Sequence, residues 1–289
     1  MAAELYLVAA ILIGGAALAK VAQEYKFPYP IPLIIAGIIL GVALGPEATF
    51  LPADFGLDFL AQLTLAAVLF YAGLTMNLKE TNRARTTIVL LATLAVLLTS
   101  LIAGITITYL VPVIGLALLI GAIVSPTDPA ALFSVLESGG VKVKRKLFTL
   151  LEGEAVFNDA TAVILVTTVF EPLIIPVLRQ PWYLVLLEFI LSMGLGVVIG
   201  YAVAYGIGRL ILKTGEDTNI SILTATTPIL AYGLGEGVAT ILTGVHPGAL
   251  ACVFAGIFLA NSKMIDISFM PQKSMRGVMK NVSFVFEIA

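Results

Sequence analysis

The sequence predicts an all-α, polytopic transmembrane protein, and three observations carry that prediction. Of its 289 residues, 60% are hydrophobic and 12% are charged, whereas soluble domains carry about 25% charged residues. Apolar runs long enough to cross a bilayer, about 17 residues or more, recur along the whole chain. Basic residues fall almost entirely on every second connection between those runs, the pattern of Lys- and Arg-rich cytoplasmic loops. A soluble fold would need far more polar surface than this composition provides. The net charge of −2 excludes a general polyanion-binding surface, so the expected partner is the lipid bilayer and not nucleic acid. The single cysteine, Cys252, forms no intrachain disulfide and reads as a small apolar residue in a helix.

Ten segments are expected, at about 4–20, 30–45, 58–76, 86–110, 114–136, 148–170, 182–208, 219–235, 248–261 and from 277 onward. The first, in "MAAELYLVAAILIGGAALA", lacks a basic start and reads as a membrane helix, not a leader. The last opens in "VMKNVSFVFEIA" and is cut short at residue 289, as expected of a fragment. Short connections leave one transmembrane domain over 1–289, with the last span truncated. The first connection carries Lys20 and Lys26. The third carries Lys79, Arg83 and Arg85, and the fifth Lys142, Lys144, Arg145 and Lys146. Arg209 and Lys213 lie on the seventh; Lys263, Lys273, Arg276 and Lys280 lie on the ninth. Only Arg179 is on an even connection. Odd-numbered loops are therefore expected in the cytoplasm and the amino terminus outside.

Two carboxylates lie where hydropathy should exclude them. Asp128, in "GLALLIGAIVSPTDPAALFSVL", is about 21 Å along an ideal helix from Ile114. Asp159, in "LLEGEAVFNDATAVIL", is about 16 Å along from Phe148. Both depths fall near the middle of a hydrocarbon core roughly 30 Å thick. One short loop joins the two spans, so they can be antiparallel neighbours with both aspartates at one level. A buried carboxylate is costly unless it is protonated or paired, and this stretch offers no intramembrane Lys or Arg. Each aspartate must bind a proton, bind a cation or face water.

Pro126 and Pro129 in "SPTDP" lack the amide proton that a helix interior needs, and they free carbonyls near Ile123 to Ser125. The residues before them are pushed toward extended geometry. Discontinuous helices of this kind hold ions at the membrane midplane in secondary transporters. The plainer alternative is a proline kink with Asp128 capping the second half-helix. In "EGEAVFNDA", Glu154 and Asn158 share a helix face, and Asp159 lies about 100° round from Asn158. Asp159 is the best primary ligand. Asn158 either bonds the disturbed backbone or simply packs two helices. Glu154 is a supporting ligand or a structural partner, and Glu152 pairs with Lys144 to Lys146 on the basic loop.

At these residues the sequence resembles the NhaP-type sodium/proton antiporters, a branch of the monovalent cation–proton antiporter superfamily. The two aspartate motifs stand 31 residues apart. "FPYPIPLIIAGIILG", "LFYAGLTMNLKE" and "PILAYGLGEGVATILTGVHPGALACVFAGIFLAN" resemble flanking spans. The resemblance implies a homodimer in which a core domain, here spans 86–170, moves against scaffold and dimerisation spans, here 1–76 and 182–289. It implies Asp159 as ion and proton carrier, with Asp128 and Asn158 holding the crossing. The backbone carbonyl of Thr127 would contribute to the ion, and Glu154 would contribute through water, so that Na+ sits at Asp159, Thr127 and Glu154. The Asn-Asp pair resembles the electroneutral branch. Three departures stand out. Ala155 replaces the usual Ser, Tyr71 replaces a usual Glu, and the last three of about thirteen spans would be absent. The inverted-repeat partner of the broken span is among them, which leaves the second repeat incomplete.

The expected activity is exchange of Na+ or Li+ for H+ in the cell membrane by alternating access, serving pH homeostasis. No enzymatic activity and no cofactor beyond the transported ions are expected. Exchange of K+ on the same scaffold remains open because of Ala155. A cation channel has no repeated carbonyl-filter loop or ring of pore charges in its favour, and an intramembrane hydrolase has no metal cluster or nucleophile–base pair. His246, the only histidine, reads as an ordinary loop residue with pH sensing as its sharper alternative. Glu188 lines a pathway or pairs structurally, and Glu287 is expected to pair with a basic residue further on. Gly194, Gly196, Gly200, Gly206 and Gly208 form a small-residue packing face.

Overall fold

A computed structural model of the chain describes residues 2–25, 27, 30–44, 57–76, 78–127, 143–170, 174–175, 181–214, 217–261 and 275–282. All regular structure among them is helical. The order is α1 (Ala2–Glu24), α2 (Pro30–Leu44), α3 (Leu57–Thr75), α4 (Leu78–Leu90), α5 (Val96–Ile107) and α6 (Ile114–Ile123). Then come α7 (Arg145–Ile164), α8 (Trp182–Thr214), α9 (Asp217–Gly233), the short α10 (Thr240–Thr243) and α11 (Gly248–Ala260). A further helical stretch covers 275–282. Among the described residues, three π segments extend or join helices: Leu91–Ala95 between α4 and α5, Leu165–Phe170 after α7, and Leu234–Ala239 after α9.

Among the described residues, three helices are long and apolar enough to cross a membrane, at Asp58–Thr75, Thr81–Ile107 and Tyr183–Lys213. The second differs from the sequence expectation, because its helix begins at Leu78 rather than near residue 86. Hydropathy registers only the apolar part, whereas Lys79, Glu80, Arg83 and Arg85 are good helix formers that continue the same rod toward water. For the same reason α8 runs on to Thr214.

Two compact units are present, residues 1–65 with 128–143 and 280–289, and residues 66–127 with 144–279. In the first, α1 and α2 pack together. In the second, α11 is the central element. Eleven of its residues are buried, from Gly248 to Ala260 on every side, as expected of a helix apolar all round. It rests on α3, α7, α8 and α9 through close approaches. A Cβ at Gly73 of α3 would lie 2.2 Å from the Val253 carbonyl oxygen, and one at Gly256 would lie 2.3 Å from that of Phe70. On α8, Gly196 and Gly200 seat against Leu250 and Phe254, while Gly194 and Gly206 have open space around them. The predicted glycine face is thus narrower than the sequence implied. Phe254 meets Phe157 of α7 at 5.6 Å, and Phe258 meets Tyr201 of α8 edge-on at 5.3 Å between ring centres. A second apolar cluster joins Val96, Ala122, Ala162, Leu165 and Phe170.

Several hydroxyls within the helices bond back to the preceding turn, which satisfies them without water. Thr93 donates to Val89 O at 2.6 Å, Thr161 to Phe157 O at 2.8 Å and Thr224 to Ile220 O at 2.7 Å. Buried Cys252 donates weakly to the carbonyl of Pro228 at 3.4 Å, consistent with its packing role. Arg276, on the stretch 275–282, donates from Nε to Leu74 O at 3.1 Å. There the guanidinium satisfies an end carbonyl of α3 and complements the negative end of that helix.

Candidate functional site

The helix α6 stops at Ile123, ahead of the prolines. Val124 N–H donates to Ile120 O at 3.1 Å, and the Ser125 hydroxyl donates to Ala122 O at 2.8 Å. The chain then bends at Pro126, which has no amide proton to continue the ladder. Thr127 follows in non-helical backbone, and its side chain reaches α7. Its hydroxyl donates to the Glu154 carboxylate, 3.0 Å from Oε2 and 3.3 Å from Oε1. Asn158 Nδ2 donates to Glu154 Oε1 at 2.7 Å and to Thr127 Oγ1 at 3.0 Å.

These bonds close a ring of three side chains across the break. A hydroxyl has one proton to give and lone pairs to receive, so Thr127 donates to the carboxylate and accepts from the amide. Glu154 and Asn158 are four residues apart on one helix face, the spacing read from the sequence. Asn158 is fully buried and Glu154 half-buried. Its amide is oriented by the carboxylate, which requires N–H and not C=O at 2.7 Å. Asn158 Oδ1 is thereby turned away from the ring, buried and without a hydrogen-bond donor among the described residues. Leaving such an acceptor unfilled costs about 1–3 kcal/mol.

The remaining sequence candidates fall as follows. Asp159 is half-buried on α7, one position beyond Asn158, and engaged in an interaction. Glu152, nearer the start of α7, is likewise engaged. Thr127 was expected to act through its backbone carbonyl; the contact observed is made by its side chain. Ala155 is buried at 6% exposure and its methyl offers no ligand. Asp128, Pro129 and Glu287 lie outside the described residues. So do Lys142, Lys263 and Lys273, and the side chain of Arg145. No group of three or more His, Cys, Asp and Glu occurs among the described residues; the oxygens around the break come from hydroxyl, amide and carboxylate, a set suited to a hard cation.

A second polar cluster was not anticipated. Glu236, in the π segment Leu234–Ala239, places Oε2 2.7 Å from His246 Nδ1 and accepts the Gly248 N–H at 2.9 Å. Its signal in the sequence is a carboxylate at the end of an apolar span, ten residues before the sole histidine.

Comparison with known proteins agrees with this architecture. The transmembrane domain of sodium/hydrogen exchangers is matched over residues 8–288. A probable Na(+)/H(+) antiporter 2 of Methanocaldococcus jannaschii is 28% identical over 87% of this chain and 58% of its own length. A sodium, potassium, lithium and rubidium/H(+) antiporter of Bacillus subtilis is 33% identical over 85% of this chain and 37% of its own. The chain thus spans little more than half the length of such relatives, or less. The solved structure of the sodium proton antiporter MjNhaP1 from M. jannaschii shares the fold, with a TM-score of 0.79 and 22% identity over 98% of this chain and 69% of that one. An integral membrane protein with a helix that ends ahead of Pro126 beside Glu154, buried Asn158 and Asp159, matched to that domain along nearly all its length, belongs to the sodium/hydrogen exchanger family.

Proposed function

We propose that the site exchanges a monovalent cation, Na+ or Li+, for H+ across the cell membrane by alternating access, and that the exchange is electroneutral. The observation that carries this reading is the hydrogen-bonded ring of Thr127, Glu154 and Asn158 just past the end of α6, beside Asp159. The ring holds the break in shape, and Asn158 Oδ1 remains as a buried acceptor. Asp159 carries either a proton or the cation. Both bind the same carboxylate, so the two ligands compete for one site. Either one neutralises it, and a neutral site crosses an apolar barrier more readily than a charged one. In the same reading Asp128 steadies the crossing, the protein works as a homodimer, and odd-numbered loops face the cytoplasm with the amino terminus outside.

Exchange of K+ is a second reading, favoured by Ala155 in place of a hydroxyl and by relatives named for K+ as well as Na+ transport. The test is proteoliposome exchange by the full-length protein with Na+, Li+ and K+ compared under an imposed pH gradient. Saturable exchange of Na+ and Li+ without single-channel currents is expected. Asp159→Asn should abolish it, and undiminished transport by that variant would falsify the assignment. K+ exchanged faster than Na+ would install the second reading.

A further inference from the structure

The cluster at Glu236 has the makings of a site in its own right. Its carboxylate spans two groups on the turn before α11. One oxygen takes the His246 ring at 2.7 Å, and the other takes the Gly248 amide, the first of α11, at 2.9 Å. The turn is shaped to present both. Gly244 adopts φ +74, a left-handed conformation that suits glycine, and the Thr240 hydroxyl donates to Val245 O at 2.8 Å. Gly248 leaves just enough space, since a Cβ there would lie 2.7 Å from Glu236 Cγ and Oε1. The pair is half-buried, with His246 36% and Glu236 24% exposed, so protons reach it from water while its charges are only partly screened.

We propose that Glu236 and His246 form a second proton-binding site, separate from the Thr127–Glu154–Asn158 ring, and that its occupancy sets the pH dependence of transport through the start of α11. The regulatory half rests on the exchange reading above; the proton-binding half does not. Imidazole is the side chain whose ordinary charge change lies near neutral pH. With the proton on, the imidazolium neutralises Glu236 and the bond between them is charge-assisted. With the proton off, the pair carries one net negative charge, held by the Gly248 amide at a helix start that favours it.

That charge acts on specific neighbours. Glu236 bears electrostatically on Tyr232 of α9 and on Cys252 of α11. The part of α8 seated on α11, Gly196 to Gly200, carries no charged residue, and Glu188 lies about 12 Å before Gly196 along that helix. α10, sequence TILT, carries none. The route from this cluster to the ion site is short in structural terms. The first turn of α11 holds Gly248, its second holds Phe254, and Phe254 packs on Phe157, the residue before Asn158.

The experiment has two arms on the full-length protein. In the first, side-chain 15N resonances of histidine are titrated from pH 5 to 9, with the His246→Gln spectrum identifying the signal. A titrating signal is expected, with its midpoint lowered by half a unit or more in Glu236→Gln, which retains an oxygen for Gly248. A midpoint unmoved by Glu236→Gln overturns the proton-binding site. In the second arm, exchange rate is profiled against pH in proteoliposomes. His246→Gln should shift the half-activation point by at least half a unit, about threefold in proton concentration, with the maximal rate within twofold. A profile that superimposes on the unmodified protein overturns the regulatory role. Loss of the Asp159-dependent transport reading would leave the resonance arm untouched, so the two failures are distinguishable.

Discussion

Glu154 and Glu236 each accept two bonds, yet their surroundings assign them opposite work. Glu154 is met by a hydroxyl and a primary amide, neither of which titrates in the physiological range. Glu236 is met by an imidazole and the first amide of a helix, and imidazole is the side chain whose ordinary charge change lies near neutral pH. The first carboxylate holds the segment after α6 against α7, and the second joins a π segment to the start of α11. What distinguishes them is therefore the partner and not the carboxylate: fixed donors give a structural clasp, and a titrating donor gives a switch.

Truncation should separate the two most strongly. Glu154→Ala strips a charged acceptor from the buried Asn158 amide and from Thr127. Charged hydrogen bonds of this kind contribute about 1.5–3 kcal/mol, so the thermal midpoint of the solubilised protein should fall by several degrees and exchange by at least tenfold. Glu236→Ala, at a wetter site, should cost less in both. Equal losses would erase the distinction. Thr127→Val keeps the shape but removes the bridging hydroxyl; a cost near 1 kcal/mol and a raised KM for the cation are expected, with little change in the pH profile. The smallest effect belongs to Gly248→Ala. Its methyl would press on Glu236 from 2.7 Å, and should move the pH profile while leaving KM for the cation in place. A change in KM alone would place Glu236 in the cation path and not in regulation.

Much of the clasp was legible in the sequence. Two prolines around Thr127 announce a helix end, and the spacing of Glu154 and Asn158 puts both on one face. That the Thr127 hydroxyl would reach Glu154 was not legible, because rotamer choice depends on where α7 comes to rest. The π segments were invisible for a different reason. Their bonds shift by one residue relative to the α-helix, and "LATLA", "LVTTVF" and "LGEGVA" share no composition that announces it. Glu236 escaped notice because its meaning depends on such a segment together with a turn ten residues on. The helix start at Leu78 was missed because hydropathy measures membrane contact, which is not the same as helicity. The seats at Gly73 and Gly256 resemble any other glycines until the partner backbone is in place.

The close seats of α11 have a mechanical meaning. A helix that meets its neighbours backbone to backbone has no cushion of side chains to absorb rotation. Turning α11 by one residue, about 100°, would swing Ala255 or Ile257 toward the place where Gly256 now meets α3, and a Cβ there would lie 2.3 Å from the Phe70 carbonyl oxygen, closer than contact allows. Its azimuth is locked, much as a key is locked by its notches. Any displacement of α11 must carry α3 and α8 with it, so a push at its first turn travels as movement of a beam and not as the twist of a single rod.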